Sequence, residues 1–226
     1  MNTFQSIGVA VLLAAPILLT SAFASPKGDL ETAMSYDGLQ KISVKGIDLA
    51  YARPGATLAG YSRVMLEPVD VAFHKDWNPT KARSRLKLSA EERENIKTGV
   101  AKIVYDEFVK ALQSKSGYQI VSEVGPDVLR VKAHIVNLFV NAPDTKTAVP
   151  TRTFTVSGGE MTIFVELFDS ETGEILARIA DRRAARRASK VTLTNSVVNA
   201  DEARSIASEW ARILRDSLDR AHAIRK

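Results

Sequence analysis

The sequence predicts an α+β fold in which two helices pack on one face of a mainly antiparallel sheet of about five strands, in the order β-α-β-β-β-β-α. Three observations carry this prediction. Two long segments repeat apolar residues at helical spacing, and several shorter segments alternate apolar and polar residues, as half-buried strands do. Turns containing Gly, Pro and Asp separate these segments.

The first predicted strand covers Tyr61–Phe73, where apolar side chains alternate with charged ones. Pro68 interrupts this run, and because proline has no amide hydrogen for the ladder, we expect it at an edge or a bulge. A basic loop, residues 74–87, follows. It contains Trp77, which we expect to pack over the end of the sheet rather than to be an exposed binding residue.

Ser89 begins the first predicted helix. Together with Glu92 it forms a capping box, which satisfies two amide donors that a helix start leaves free. One buried face follows at helical spacing, formed by Ile96, Val100, Ile103, Val104, Phe108 and Leu112. A second helix is predicted from about Ala200 to His222, with Trp210 on its apolar face.

The segment between the helices is predicted to form the remaining strands. These are Tyr118–Val124, Val128–Asn141, Met161–Leu167 and Ile175–Ile179. The last two form a hairpin with Gly173 at the left-handed position of its turn. Residues 141–159 are a polar Thr-, Pro- and Gly-rich loop, which is long enough to be functional.

The N-terminus has the pattern of a secretory signal. Residues 1–24 have no charged side chain and end in Ala22-Phe23-Ala24, which is typical of a signal peptide cut after Ala24. The alternative is an uncleaved anchor, for which the run is slightly short of the ~20 apolar residues needed. We expect a signal peptide at 1–24, an extended lead-in at 25–58 and a single α+β domain at 59–226, in a periplasmic protein.

Composition limits the partners and the chemistry. The chain has no cysteine, so we expect neither thiolate metal sites nor lipidation at the cleavage point. All of the formal charge of +5 belongs to the mature part, and the isoelectric point is near 9.4. Such a protein is attracted to lipid head groups, wall polymers or an acidic partner, with peripheral membrane contact possible. An exported protein is not expected to meet nucleic acid.

The sequence supports no catalytic, metal or cofactor site. His74, His134 and His222 are far apart and lack the spacing of metal ligands. Asp169 and Gly173 superficially suggest a calcium loop, but too few oxygen ligands follow, and a hairpin turn explains them. We therefore expect no cofactor and no catalytic residue, and we favour a non-enzymatic role.

Basic residues form the one concentrated feature. Between Asp181 and Asp201 the chain has no acidic residue, and on a helix four of its arginines would share one face. If the strands ending at Phe73 and Arg183 run parallel, the loop after the first strand joins them in one basic rim. The predicted anion- or partner-binding residues are Arg182, Arg183, Arg186, Arg187, Arg83, Arg85 and Lys87. The alternative is a set of solvated loops that keep the protein soluble.

Five segments of turns and strands carry a family resemblance: 36–39 (YDGL), 50–56 (AYARPGA), 61–69 (YSRVMLEPV), 128–131 (VLRV) and 166–177 (ELFDSETGEILA). In these the chain resembles a bacterial envelope family catalogued as domain of unknown function 3313. Many relatives resemble lipoproteins with a cysteine at the cleavage point. Ser25 stands there in this chain, which favours an unlipidated form. The resemblance implies no catalytic residues.

These observations favour an exported, non-enzymatic domain that binds an envelope partner protein or an anionic envelope component. Two alternatives stay open. One is a periplasmic hydrolase with a site near the 141–159 loop, which would need a carboxylate or histidine with a perturbed pKa. The other is a structural subunit of an envelope assembly, which would show an exposed apolar patch or a regular oligomer.

Overall fold

The computed structural model describes residues 31, 34–77, 89–140, 154–155, 160–184, 192–193 and 196–224. After a short 3₁₀ helix at Tyr36–Gly38, the strands are β1 (Gln40–Ile42), β2 (Leu49–Ala52), β3 (Arg63–Leu66), β4 (Asp70–Phe73), β5 (Gln119–Ile120), β6 (Val128–Phe139), β7 (Phe154–Thr155), β8 (Glu160–Asp169), β9 (Ile175–Ala184) and β10 (Thr192–Leu193). The helices are α1 (Ala90–Gln113) and α2 (Ser196–Ile224).

The α+β class and the two helices are as predicted, but the prediction of about five mainly antiparallel strands is wrong. Within the described residues the main sheet has eight strands and is mixed, in the order β1-β2-β9-β8-β6-β3-β5, with β4 also beside β6. Strands β3 and β4 run parallel to β6, and β5 runs parallel to β3. The chain passes from β4 to β6 through α1, and a helical crossover of this kind produces parallel pairing.

The first predicted strand, Tyr61–Phe73, is two strands in the structure, and Pro68 lies between them. Strand β3 pairs with the first half of β6 and β4 with the second half. The amide of Glu67 still donates to the carbonyl of Val131, at 3.0 Å, and the ladder resumes at Asp70. The break follows from the missing amide hydrogen of proline.

The capping box predicted at the start of α1 is confirmed. The Ser89 hydroxyl accepts from the amide of Glu92 at 3.1 Å, and the Glu92 carboxylate accepts from the amide of Ser89 at 2.7 Å. Phe108 of α1 and Trp210 of α2 are 2% and 3% exposed. They pack against the apolar side chains of the central strands, including Ile163. Both helices therefore cover one face of the sheet, as predicted.

The N-terminal segment lies on the other side of the sheet and at its edge. Strand β2 pairs antiparallel with β9, and β1 adds outside it. Met34, Leu39 and Tyr51 form a second apolar cluster with Ile175 and Ala180. Because consecutive strand residues face opposite sides, this cluster covers the face that the helices leave open.

The β8–β9 hairpin has the predicted turn. Gly173 has φ of +69°, a conformation that costs glycine nothing because it has no Cβ. The carboxylate of Asp169 accepts from the amides of Glu171 and Thr172 at 3.1 and 2.8 Å. These bonds hold the chain reversal, as expected for a hairpin turn.

Candidate functional site

Three long connections meet at one end of the main sheet. The register places Phe73 beside Leu138, and it places Phe139, Glu160 and Ala184 in one row. Strands β4, β6 and β9 therefore finish at this end, and β8 begins there. Residues 74–88, 141–159 and 185–195 connect to the sheet there. We call it the basic end because these connections are rich in Lys and Arg.

The charge of these connections exceeds that of the whole protein. They contain ten Lys and Arg residues and two Asp and Glu residues, whereas the entire chain has a formal net charge of +5. Strands β4 and β9 run parallel, which is the condition for one basic rim. Three strand spacings of ~4.8 Å separate them, so the two strands finish about 14 Å apart.

Only two of the predicted binding residues lie within the described part of the chain. Arg182 and Arg183 are in strand β9, not on a helix. Consecutive strand residues point to opposite faces, so these two do not share one. The other five lie outside the described residues: Arg186, Arg187, Arg83, Arg85 and Lys87.

Arg183 is held by neighbouring groups on the helix side of the sheet. Its guanidinium forms ion pairs with Asp181 and, at 3.1 Å, with Glu209 of α2. A further nitrogen donates to the carbonyl of Gly46 in the β1–β2 loop. Burial lowers the pKa of Arg183, but the hydrogen bond and charge of Asp181 outweigh it and leave the pKa raised. This arginine joins three elements of the fold.

Asp181 is the centre of this network and is 3% exposed. Its carboxylate accepts from the indole nitrogen of Trp210 at 2.7 Å and from the amide of Asp48 at 2.9 Å. Sequence reasoning treated Asp181 only as the last acid before the basic stretch. The signal was present, because Asp181 and Arg183 are two residues apart and so lie on one face of a strand.

Arg182 points to the opposite face and is exposed. Its guanidinium contacts the carboxylate of Glu160 on β8 at 2.6 Å, with 65% of the arginine side chain exposed. An exposed pair of this kind contributes little to stability, typically ~0–1 kcal/mol. Arg182 therefore keeps most of its surface available to a ligand at the basic end.

Trp77 packs at the same end, as the sequence predicted. Its ring stacks on Phe73 with centroids 4.0 Å apart and planes 7° apart. Its indole nitrogen donates to the carbonyl of Val140 at 3.0 Å. Trp77 thus joins the ends of β4 and β6 and fixes where the two connections leave the sheet.

The opposite end of the sheet is closed by short turns and internal hydrogen bonds. The hydroxyl of Ser170 bonds both the amide and the carbonyl of Gly125. The hydrogen bonds that Arg63 and Ser62 donate to Asp127 hold its pKa well below the usual range. We call this the turn end. The hydrogen bonds from Arg63 and Ser62 account for the lowered pKa of Asp127 as a structural effect.

The histidines have separate structural contacts. His134 lies 3.3 Å from Asp70, and His222 bonds the carbonyl of Leu218 at 2.8 Å. Among the residues that the structure describes, no group of three His, Cys, Asp or Glu could hold a metal ion. The loop expected to hold a hydrolase site lies largely outside the described part of the chain, apart from Phe154–Thr155 in β7.

The described helices include none that is both long and apolar enough to cross a membrane. The predicted signal peptide, residues 1–24, lies outside the described residues.

Three solved structures similar to this chain have identities of 10–13% and TM-scores of 0.36–0.45. A PelC dodecamer from Paraburkholderia phytofirmans is 10% identical with a TM-score of 0.37, and the alignment covers 78% of this chain and 98% of that one. Protein XCC0632 from Xanthomonas campestris, of family DUF330, is 10% identical with a TM-score of 0.45, covering 75% and 91%. A candidate lipoprotein from Caulobacter crescentus is 13% identical with a TM-score of 0.36, covering 75% and 96%.

No curated protein matches the chain. The family described as protein of unknown function (DUF3313) matches residues 29–214. This match includes β1 and β2 as well as both ends of the sheet, and it extends over most of α2. The chain therefore belongs to the DUF3313 family of proteins of unknown function.

Proposed function

We propose that the mature protein is an exported, non-enzymatic domain that binds an anionic component of the cell envelope at its basic end. The ligand is a surface with many negative charges, such as a bilayer rich in anionic lipid or an acidic wall polymer. Arg186, Arg187, Arg83, Arg85 and Lys87 are the main contacts, and Arg182 adds to them.

The observation that carries this proposal is the convergence of three basic connections at one end of the sheet. The connections contain ten basic residues and two acidic residues, and the strands that they join begin or finish at this end of the sheet. Clustered cations attract an anionic surface more strongly than the same charges dispersed, because their potentials still overlap within one to two Debye lengths, each about 8 Å at physiological salt.

Arg183 is not part of this binding surface. Asp181 and Glu209 already neutralise it. If Arg183 left them to bind a ligand, the buried carboxylate of Asp181 would lose its ion pair, which is costly. We assign it to the support of strand β9, which positions Arg182 and the connection that follows.

The test is sedimentation with vesicles of phosphatidylglycerol and phosphatidylcholine over a series of salt concentrations. Each basic residue at an anionic bilayer contributes ~1 kcal/mol. Replacing Arg83, Arg85, Arg186 and Arg187 together by Gln should therefore weaken binding by on the order of a hundred-fold or more. Wild-type binding should also fall steeply as salt increases.

A matched control removes the same number of charges elsewhere. Lys102, Lys110, Lys115 and Arg212 are exposed on the helices and the turn after α1, and their replacement by Gln should change binding much less. The proposal fails if both quadruple variants lose binding equally, or if the wild type binds anionic and neutral vesicles alike. It also fails if binding is independent of salt.

A further inference from the structure

An apolar cavity of about 230 Å³ lies between the β1–β2 hairpin, the helix side of β8 and β9, and helix α2. The residues that line it have pure hydrocarbon side chains, with the exceptions of Tyr51, Trp210 and Ser217. The Trp210 nitrogen already donates to Asp181. The Ser217 hydroxyl already donates to the carbonyl of Ile213 at 2.7 Å.

The walls of this cavity favour an apolar occupant over water. An ordered water needs two to four polar partners, and a hydrocarbon-lined cavity of ~150 Å³ stays dry and takes up benzene. The cavity in this protein is larger than that. It therefore has room for several carbons of an alkyl chain.

Some residues that line the cavity are exposed, and another lining residue is hydrogen-bonded to a cation. Two of its lining residues, Ile42 and Ala56, are exposed, so the cavity is open where they lie. Ser217 also lines it, and the guanidinium of Arg220 donates to the Ser217 hydroxyl at 3.1 Å. Arg220 is exposed and forms no ion pair with any carboxylate in the part of the chain that the structure describes.

We propose that this cavity binds the acyl chain of an anionic amphiphile, with Arg220 holding the carboxylate or phosphate head group. The hydrocarbon walls select the chain, and the cation bonded to Ser217 selects the charge. A planar guanidinium suits both head groups because it can donate two parallel hydrogen bonds. Free fatty acids and anionic phospholipids share this chemistry.

This site is independent of the basic end. Helix α2 begins after the basic connection 185–195 and ends beside Tyr118 at the turn end, where His222 contacts that tyrosine. Arg220 lies near that second end of the helix. Vesicle binding through the basic end and acyl binding in the cavity can therefore fail separately.

Trp210 provides a direct signal, because it lines the cavity. The chain has two tryptophans, and Trp77→Phe leaves Trp210 as the only one. A fatty acid brominated near its chain end, below its micelle concentration, should quench Trp210 in a saturable way. Affinity should rise roughly four-fold per added methylene group until the cavity is full.

Charge selection is tested with the methyl ester of the same fatty acid. The wild-type protein should bind the acid roughly ten-fold more tightly than the ester, and Arg220→Gln should abolish that difference. Arg212→Gln is the matched control, since Arg212 is exposed on the same helix and pairs with Asp216. It should leave the preference for the acid intact.

Cavity filling supplies a second variant. Ala177 lines the cavity on β9, and Ala177→Phe should weaken quenching more than ten-fold while the circular dichroism spectrum is retained. If that variant does not fold, the proposal is still tested by the chain-length series and by the ester comparison, both made on the folded Trp77→Phe protein. Absence of saturable quenching, or equal affinity for acid and ester, overturns the proposal.

Vesicles containing brominated phosphatidylglycerol distinguish the two sources of ligand. Quenching by these vesicles in excess of that by brominated phosphatidylcholine identifies a phospholipid acyl chain as the occupant. Quenching by the free acid alone identifies a fatty acid. No quenching by either overturns the assignment of the cavity.

Discussion

At the scale of single residues, the most informative side chain is the buried carboxylate of Asp181. Burying a charge is costly unless it is paired and hydrogen-bonded. Here the indole of Trp210, the amide of Asp48 and the guanidinium of Arg183 all donate to it. One side chain thus joins β9 to α2 and to the β1–β2 loop, which also forms one wall of the apolar cavity.

We predict that Asp181→Ala destabilises the protein by about 3 kcal/mol, because two donors and a partly buried guanidinium lose their acceptor. Urea denaturation followed by circular dichroism measures this. Asp216→Ala, which removes an exposed carboxylate paired with Arg212, should cost less than ~1 kcal/mol. Arg183→Gln should cost less in the Asp181→Ala background than alone, and equal costs would contradict the network.

At the scale of elements, the parts that the sequence predicts are those whose signal is local. Strands β6 and β8 and the capping box of α1 were predicted within a few residues, because alternation and capping chemistry are properties of neighbouring residues. Strand β2 was missed because its four residues are too few to show an alternation. The sequence of a strand does not show which other strand it pairs with. The parallel pairing of β3 and β4 with β6 was therefore missed as well.

The candidate site was likewise predictable in its local composition but not in its tertiary contacts. The excess of basic residues between Asp181 and Asp201 is a property of composition and was visible in the sequence. The acids that neutralise two of these arginines are on other elements, since Glu209 is on α2 and Glu160 is on β8. Which cations are already paired is thus set by tertiary structure, and it could not be predicted from the chain.

Two tyrosines join elements at the turn end. The Tyr61 hydroxyl donates to Asp169 of the β8–β9 hairpin at 2.9 Å. The Tyr118 hydroxyl, just before β5, donates to Asp219 of α2 at 3.0 Å. Burial, followed by these hydrogen bonds, raises the pKa of each phenol to about 12. Each hydroxyl therefore contributes to stability only while it keeps its proton.

This predicts a loss of stability in alkali. An unfolded tyrosine ionises near pH 10, so between about pH 10 and 12 the unfolded chain has released protons that the native protein still binds. The free energy of unfolding should fall by up to about 1.4 kcal/mol per pH unit for each tyrosine, and the contribution is complete below pH 10.

The measurement is urea denaturation from pH 9 to 12, with each tyrosine replaced by Phe in turn. Tyr61→Phe and Tyr118→Phe should each flatten the alkaline slope, while lysine ionisation contributes equally to every variant. Tyr36, which is 71% exposed, provides the control, and Tyr36→Phe should leave the slope unchanged. An alkaline slope in the Tyr61→Phe, Tyr118→Phe double variant that equals the wild-type slope would contradict the assignment.

At the scale of the whole molecule, the two ends of the sheet differ in construction. The turn end is closed by short turns and by bonds between Ser170 and Gly125 and between Arg63 and Asp127. The basic end is where the three long connections join the sheet, and their sequences contain ten basic and two acidic residues. A scaffold closed at one end and carrying long connections at the other is a common way to present a binding surface. This division supports the proposal that ligands meet the basic end.

The proposed role requires export, and the predicted cut after Ala24 is the test of it. Signal peptidases need small residues at the positions that Ala22 and Ala24 occupy. Expressed from its full gene in a bacterium with two membranes, the protein should be recovered from the periplasmic fraction, and mass spectrometry should find Ser25 as its first residue. Ala24→Leu should leave the precursor uncut and membrane-bound, while Ala24→Gly keeps a small residue and should be cut as the wild type is. Recovery of a full-length wild-type chain would show an anchor instead, and the basic end would then act on the membrane that holds it.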